Sequence, residues 1–168
     1  MSNDSESQSG RSVTWPDPAI SVKAFRTLNG LELLRKIANG EIPQPPICHL
    51  LGYRLVEAEP GFAAFELTTG EHQLNPAGTV HGGVACTLLD SAMSCAVQTK
   101  IPGGSVYTTL ELKVNLVRAI LPTTGLLRCE GRAIHVGSRI GTAEGKLIDG
   151  ASKLYAHGTT TCMIMAQG

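Results

Sequence analysis

One segment of the sequence, residues 80–100, limits the possible folds of this chain more than any other. When the segment is drawn as a helix, apolar residues cover most of its circumference, and Asp90 is the single charge inside it. A helix that is apolar nearly all round is buried. The residues that follow at 101–104, Ile-Pro-Gly-Gly, end the helix. The rest of the chain must therefore cover a long central helix.

Segments with alternating apolar and polar residues lie on both sides of this helix. They predict strands at residues 53–57, 62–68, 107–116, 126–136, 140–148 and 153–165. Tight turns between consecutive strands favour an antiparallel sheet, and a sheet that covers one apolar helix curls around it. The sequence thus predicts an α+β fold, in which a curved antiparallel β-sheet wraps one long central helix.

The segment 107–116 has the most regular alternation. It predicts one apolar face and one polar face. The apolar face is expected to carry Leu110, Leu112, Val114 and Leu116, and the polar face Thr109, Glu111, Lys113 and Asn115.

The chain of 168 residues has the length of one domain. Residues 1–24 are rich in Ser, Asp and Pro and predict a flexible tail, which leaves residues 25–168 as a single domain. A helix is predicted after Asn29, where Glu32 completes a capping pattern, and it should end near residues 39–40. A short turn at 47–51 is expected to connect this helix to the first strand.

Composition excludes several classes of function. Lys and Arg number 14, as do Asp and Glu, so the basic excess of a nucleic-acid-binding protein is missing. The five cysteines form no CxxC pair, which indicates reduced thiols in a cytoplasmic protein. No signal peptide or membrane span is predicted. The five histidines lack metal-ligand spacing, so no metal site is expected.

The residues that carry chemistry lie between positions 75 and 90. Gly82 and Gly83 are predicted to start the central helix, where backbone amides have no intrahelical partner and face the positive end of the dipole. Glycine lets an electrophile approach such amides, which suits an oxygen that becomes negative during a reaction. An equally good interpretation is that two glycines merely allow a tight start to the helix.

Asp90 is a candidate general base. A lone carboxylate among apolar helix residues is costly unless it is paired or hydrogen-bonded, and a structural acid or an interface acid is the alternative interpretation. Eight residues separate Gly82 from Asp90, about 12 Å along a helix. One helix therefore cannot bring its own start and Asp90 to one small reacting centre. Two antiparallel helices in a homodimer could, so a homodimer is predicted.

His81 and Asn75 are candidates for hydrogen bonds to a substrate carbonyl or a water. For His81, a residue that starts the helix and bonds to its backbone is an equally good interpretation. The sequence contains no GxSxG motif for a serine nucleophile and no phosphate or dinucleotide loop.

These residues resemble a known family. Asn75, the His81-Gly82-Gly83 triplet and Asp90, followed by the 109–115 strand, resemble the hotdog-fold acyl-CoA thioesterases of the phenylacetic acid degradation (PaaI) type. The resemblance runs from about residue 30 to residue 165. It implies the hotdog fold, a homodimer that often forms a homotetramer as a dimer of dimers, and a hydrolase that splits an acyl- or aroyl-CoA into free acid and coenzyme A.

The resemblance also implies roles for single residues. Gly82 would polarise the thioester carbonyl through its amide with His81 beside it, and Asp90 of the partner subunit would act as general base or nucleophile. Asn75 would bind the carbonyl or orient the water, and Thr109 would hold the attacking water. Substrate-binding positions are expected at Gly83, Gly137, Ser138, Arg139, Leu89 and Met93, with the 137–139 connection on the phosphates of coenzyme A.

Two other functions remain open from the sequence. A non-catalytic module on the same scaffold would bind an acyl-CoA without releasing free thiol. An enoyl-CoA hydratase needs a differently placed His and acid, which makes it the weakest alternative.

Overall fold

The computed structural model describes residues 9–166. It contains four α-helices and six strands within that range, besides two short 3₁₀ turns at Glu71–Gln73 and Pro122–Thr124. The helices and strands are α1 (Pro18–Thr27), α2 (Gly30–Ala38), α3 (Pro46–Leu51), β1 (Tyr53–Glu59), β2 (Phe62–Thr68), α4 (Gly82–Gln98), β3 (Ser105–Leu116), β4 (Leu126–Val136), β5 (Ile140–Asp149) and β6 (Leu154–Ala166).

The six strands form one antiparallel sheet around α4. Their order is β1-β2-β4-β5-β6-β3, so β1 and β3 are the edge strands. The sheet-facing side of α4 is wholly buried, and it consists mostly of Ala85, Leu88, Leu89, Ala92, Met93 and Ala96. The helix and sheet approach so closely at Gly131 that an added Cβ would lie 2.1 Å from the Ala92 carbonyl oxygen. The predicted α+β architecture, the hotdog fold, is confirmed.

Strand β3 departs from the strict alternation that its sequence predicts. Thr109 pairs with Cys162, but Glu111 pairs with Thr161, so Leu110 is the extra residue of a β-bulge. The predicted faces of Thr109 and Leu110 were wrong, because the bulge leaves Leu110 53% exposed and turns Thr109 to the inner face. Leu112 and Val114 pack against the core, as predicted. Thr109 therefore shares a face with Leu112, which lies opposite the buried Thr160.

The segment before β1 contains two helices beyond the one predicted. Helix α2 has the expected cap, since the Asn29 side chain accepts a hydrogen bond of 3.0 Å from the Glu32 amide. The 47–51 connection is helical in α3, which ends at Gly52 with a φ of +80°. The tail boundary predicted at residue 24 falls inside α1, and residues 1–8 of that tail lie outside the described residues.

Candidate active site

The start of α4 leaves one backbone amide open. His81 is the N-cap, and its Nδ1 accepts a 2.9 Å hydrogen bond from the Gly83 amide. The Val84 amide donates to the His81 carbonyl at 2.9 Å. The Gly82 amide donates to no acceptor within residues 9–166. Of the amides at this helix start, Gly82 N–H is therefore the one available to an incoming oxygen.

His81 and Asn75, which precede Gly82 in the chain, both form hydrogen bonds within the protein. Because Nδ1 of His81 accepts a hydrogen bond, its neutral ring carries the proton on Nε2. Asn75 closes the loop before α4: its Oδ1 accepts from the Ala77 amide at 2.9 Å, and its Nδ2 donates to Thr79 at 3.0 Å. Contacts of His81 and Asn75 with a substrate carbonyl or a water stay predictions.

Asp90 lies half-buried on the side of α4 that faces away from the sheet. The Thr109 hydroxyl donates a 2.9 Å hydrogen bond to Asp90 Oδ1. The other carboxylate oxygen, Oδ2, has no hydrogen-bond partner among residues 9–166. The β3 bulge makes this contact, because without it Thr109 would point to the outer face. Asp90 thus has one oxygen held in place and one free to accept a proton.

A cavity of about 860 Å³ opens beside Asp90. Its floor is the outer face of α4, and its roof and walls come from α1, α2, α3, β1, β2 and the start of β3. Two aromatic pairs lie in the walls, Phe25 with Tyr107 at 6.3 Å and Tyr53 with Phe65 at 5.7 Å between ring centroids. A largely apolar cavity with a few polar groups is typical of a site for a small organic group.

The reactive side chains in the cavity wall stay protonated near neutral pH. Burial raises the pKa of the Cys48 thiol to about 11 and that of Cys95 to about 12. Burial also raises the pKa of Tyr53 and of Tyr107. A thiol becomes a good nucleophile only as thiolate. Asp90 is therefore a better candidate than either cysteine for the group that activates or attacks an acyl carbon.

Leu89 and Met93 do not line this cavity. Both are fully buried on the sheet-facing side of α4, where an added Cβ on Gly145 would meet Met93 Cγ at 2.7 Å and Leu89 Cδ2 at 3.2 Å. The structure thus corrects the expectation that they line an acyl pocket. At about 100° per residue, Leu89 lies about 100° and Met93 about 60° around the helix from Asp90, and both face the sheet.

The predicted coenzyme A contacts lie at the other end of the helix. Gly137, Ser138 and Arg139 form the exposed tip between β4 and β5, where the Gly137 amide donates to the Ile140 carbonyl at 2.8 Å. Next to this tip, Gly141 packs against Val97 near the end of α4. In one chain, the tip and Gly82 therefore lie at opposite ends of α4, with Asp90 between them.

Three polar residues of the cavity floor were missed from the sequence. Ser91, Ser94 and Gln98 lie on α4 beside Asp90 and face the cavity. Their spacing of one, four and eight residues from Asp90 follows one face of a helix, so the signal was present. It was overlooked because the apolar residues of the segment dominate its pattern.

Within residues 9–166, no group of three or more His, Cys, Asp or Glu side chains is arranged to hold a metal ion. Over the same residues, none of the helices has the length and apolar character needed to span a membrane.

Sequence comparison identifies relatives of known family. The model of the Thioesterase superfamily matches residues 77–156. A 1,4-dihydroxy-2-naphthoyl-CoA hydrolase of Listeria monocytogenes is 30% identical over 104 residues, which cover 62% of this chain and 83% of that protein.

Solved structures show the same architecture. A phenylacetic acid degradation-related protein from Ralstonia eutropha superposes with a TM-score of 0.69 at 28% identity, covering 77% of this chain and 98% of that one. The Escherichia coli PaaI protein superposes with a TM-score of 0.70 at 18% identity, covering 80% of this chain and 94% of that one, which shows the shared fold.

Proposed function

This chain belongs to the thioesterase superfamily, and we propose that it hydrolyses the thioester of an acyl- or aroyl-CoA to a free acid and coenzyme A. The observation that carries the proposal is the Asp90 carboxylate, held by Thr109 at 2.9 Å at the edge of a large and mostly apolar cavity. The Listeria relative, whose name describes an aroyl-CoA hydrolase, supports the class of substrate.

In the proposed reaction, Asp90 acts as the general base. Its free Oδ2 accepts a proton from a water while the water oxygen bonds to the thioester carbonyl carbon. The C–S bond then breaks, and the proton passes to the departing thiolate of coenzyme A. A positioned general base contributes about 10²–10⁴-fold to the rate. Since a thioester is already an activated acyl group, this base and one carbonyl-binding amide are sufficient.

The carbonyl oxygen is proposed to bind the open Gly82 amide of a second copy. One such donor contributes about 2.7–4 kcal/mol to transition-state stability. The site then needs a homodimer, because Gly82 and Asp90 of one chain are about 12 Å apart along α4. His81 and Asn75 support this carbonyl-binding position: the His81 ring caps the neighbouring Gly83 amide, and Asn75 closes the loop before α4.

Strand β3 is the element that would join the two copies. It is a 12-residue edge strand, and an edge strand can pair with its own copy about a twofold axis. On β3, Thr109 contacts Asp90, and the Leu116 side chain lies over Gly82. Antiparallel pairing that sets Thr109 opposite the partner's Leu116 would bring each Asp90 towards the partner subunit's Gly82.

The remaining details stay predictions from the sequence. The Gly137-Ser138-Arg139 tip is proposed to contact the phosphates of coenzyme A, with Arg139 as the cation. Three further predictions from the sequence are the assembly of two dimers into a tetramer, a role in phenylacetic acid degradation and a cytoplasmic location. No cofactor is needed for the proposed reaction, because coenzyme A enters as part of the substrate.

The test is a screen for release of free thiol from aliphatic and aromatic acyl-CoA esters of different length. Wild-type protein should release coenzyme A from at least one class, and Asp90→Asn, which keeps the size of the side chain, should lower kcat by about 10²–10⁴-fold. Circular dichroism and thermal unfolding check that the variant keeps its fold.

Two outcomes would contradict the proposal. Saturable binding of an ester without thiol release would favour a non-catalytic binding module. Equal turnover by wild-type protein and Asp90→Asn would remove the carboxylate from the mechanism.

A further inference from the structure

We infer that Gln98 is a specificity-determining residue, which selects acyl groups with a hydrogen-bonding substituent at the end far from the thioester. The inference rests on the proposed function, since it takes the cavity beside Asp90 as the acyl site. It concerns the end of that cavity opposite the reacting carbonyl.

The side-chain amide of Gln98 faces the cavity and has no protein partner. Gln98 is only 5% exposed, it lines the cavity, and its side-chain amide makes no hydrogen bond within residues 9–166. Among the described residues, only His49 Nε2 is a fully buried side-chain nitrogen or oxygen without a partner, so water in the cavity can still reach the Gln98 amide. An apolar acyl group that filled the cavity would displace this water and leave the amide unpaired. A ligand with a hydrogen-bonding group at this end of the cavity replaces the displaced water and avoids that cost.

Another buried glutamine shows what a structural role looks like in this chain. Gln73 is 4% exposed, and both ends of its amide are used: Oε1 accepts from the Gly70 amide at 3.1 Å, and Nε2 donates to the Leu51 carbonyl at 2.9 Å. The two glutamines are equally buried, yet only Gln73 stabilises the chain through its amide. Gln98 differs in having its amide turned to a cavity.

The position of Gln98 sets the length of the acyl group. It lies eight residues after Asp90 on the same helix face, about 12 Å along the axis. Contacts of about 3 Å at each end leave roughly 6 Å between the thioester carbon and the substituent. A para-hydroxyl on a benzoyl group has about this reach, and a terminal hydroxyl on a flexible six-carbon chain reaches it when the chain bends.

The walls between these two ends favour a flat apolar group. Four of the seven aromatic residues of the chain, Phe25, Tyr53, Phe65 and Tyr107, line the cavity. The hydroxyls of both tyrosines bond to serines of α4, Tyr53 with Ser91 at 3.0 Å and Tyr107 with Ser94 at 3.5 Å. With those hydroxyls engaged, the Gln98 amide is the polar group of the α4 face in this part of the cavity that has no partner within residues 9–166. The Arg26 guanidinium of α1 also lines the cavity and has no partner within that range.

The experiment compares matched pairs of substrates. The pairs are benzoyl-CoA with 4-hydroxybenzoyl-CoA, and hexanoyl-CoA with 6-hydroxyhexanoyl-CoA. Wild-type protein should prefer the hydroxylated member of at least one pair by tenfold or more in kcat/KM, because the unsubstituted member leaves the amide unpaired. Gln98→Met, with a side chain of similar length and no amide, should lower this preference at least tenfold.

The matched control is Gln73→Met. It should lower the midpoint of thermal unfolding and leave the substrate preference within twofold of wild type, whereas Gln98→Met should unfold at the wild-type temperature or above. A preference that survives in Gln98→Met, or wild-type protein that hydrolyses both members of each pair equally, would overturn the role of Gln98 alone. Failure to hydrolyse any ester of the wider screen would overturn the proposed function itself.

Discussion

The start of α4 and its second half differ in what their polar groups do. At the start, the Gly82 amide is open, and the His81 ring caps the neighbouring amide. In the second half, Ser91 and Ser94 bind tyrosine hydroxyls, while the opposite face packs against the sheet. One region thus offers a donor for a carbonyl oxygen, and the other offers an acyl-sized cavity with a carboxylate at its edge.

This difference has a structural consequence. The two regions lie on one helix, about 12 Å apart along its axis, so a single chain presents the donor and the base at separate places. A complete site needs the start of one α4 beside the middle of another. The following predictions test this division, from the largest expected effect on free energy to the smallest.

The largest effect is expected from removing the open amide. Proline is well tolerated at the first position of a helix, and His81, with ψ of 134°, has the extended conformation that proline requires of the residue before it. Gly82→Pro should therefore keep the helix and lower kcat/KM by about 10²–10³-fold, which is ~2.7–4 kcal/mol. The measurement is steady-state thiol release on the best ester of the screen.

Gly82→Ala is the control for the added carbon. Its Cβ would meet only the end of the Leu116 side chain, at 2.7 Å, which can move. The alanine variant keeps the N–H and should retain most of the activity lost in Gly82→Pro. Equal losses in both variants would assign the effect to the shape of the helix start rather than to its amide.

The second prediction is that two inactive variants, Asp90→Asn and Gly82→Pro, recover activity when they form mixed dimers. A mixed dimer of Asp90→Asn and Gly82→Pro has one site with both groups intact and one site with neither. Random exchange of equal amounts should thus restore roughly a quarter of the wild-type activity if each site spans the two copies. No recovery after unfolding and refolding the variants together would place both groups in one chain.

The third effect concerns the packed face of α4. An added Cβ at Gly131 would lie 2.1 Å from the Ala92 carbonyl oxygen, so Gly131→Ala must push the sheet from the helix. Overpacking of this kind costs about 1–3 kcal/mol of the free energy of unfolding. Gly150→Ala, with no atom within 4 Å of its Cβ, should change that free energy by less than about 0.5 kcal/mol. Denaturant unfolding at a fixed protein concentration measures both.

The smallest effect tests Thr109 as a positioning residue for Asp90. Thr109→Val removes a hydrogen bond to a charged group, worth about 1.5 kcal/mol, and should lower kcat about tenfold with little change in KM. Thr109→Ser should restore the rate, because the hydroxyl returns. Thr108→Val, on the exposed outer face of the same strand, should have no effect on kcat. A change confined to KM would contradict the role of Thr109.

Much of the fold followed from local patterns. The bounds of α2, α4 and β4 agree with prediction within two residues, because caps, breakers and periodicity act within one segment. Helices α1 and α3 were not predicted. Proline-rich and serine-rich segments have weak intrinsic preferences, and these two short helices lie against the rest of the protein across the cavity.

For the candidate site, the sequence was informative about residue types and less so about orientation. The spacing of Gly82 and Asp90 on one helix was predicted, and so was the need for a second helix. The orientation of Thr109 was not, since a one-residue bulge at Leu110 reverses the face on which it lies. Leu89 and Met93 were assigned to the cavity because hydrophobicity alone does not tell a sheet-facing residue from a ligand-facing one.

By itself, the sequence determined that a long buried helix carries a carboxylate in its middle and glycines at its start, because helical spacing is a local property. Only the tertiary structure decided which of those amides is open, that Thr109 holds Asp90, and that Gln98 faces a cavity without a partner. These features depend on strand register and on contacts between distant segments. Such contacts arise when the helices and the sheet pack together, and no local pattern records them.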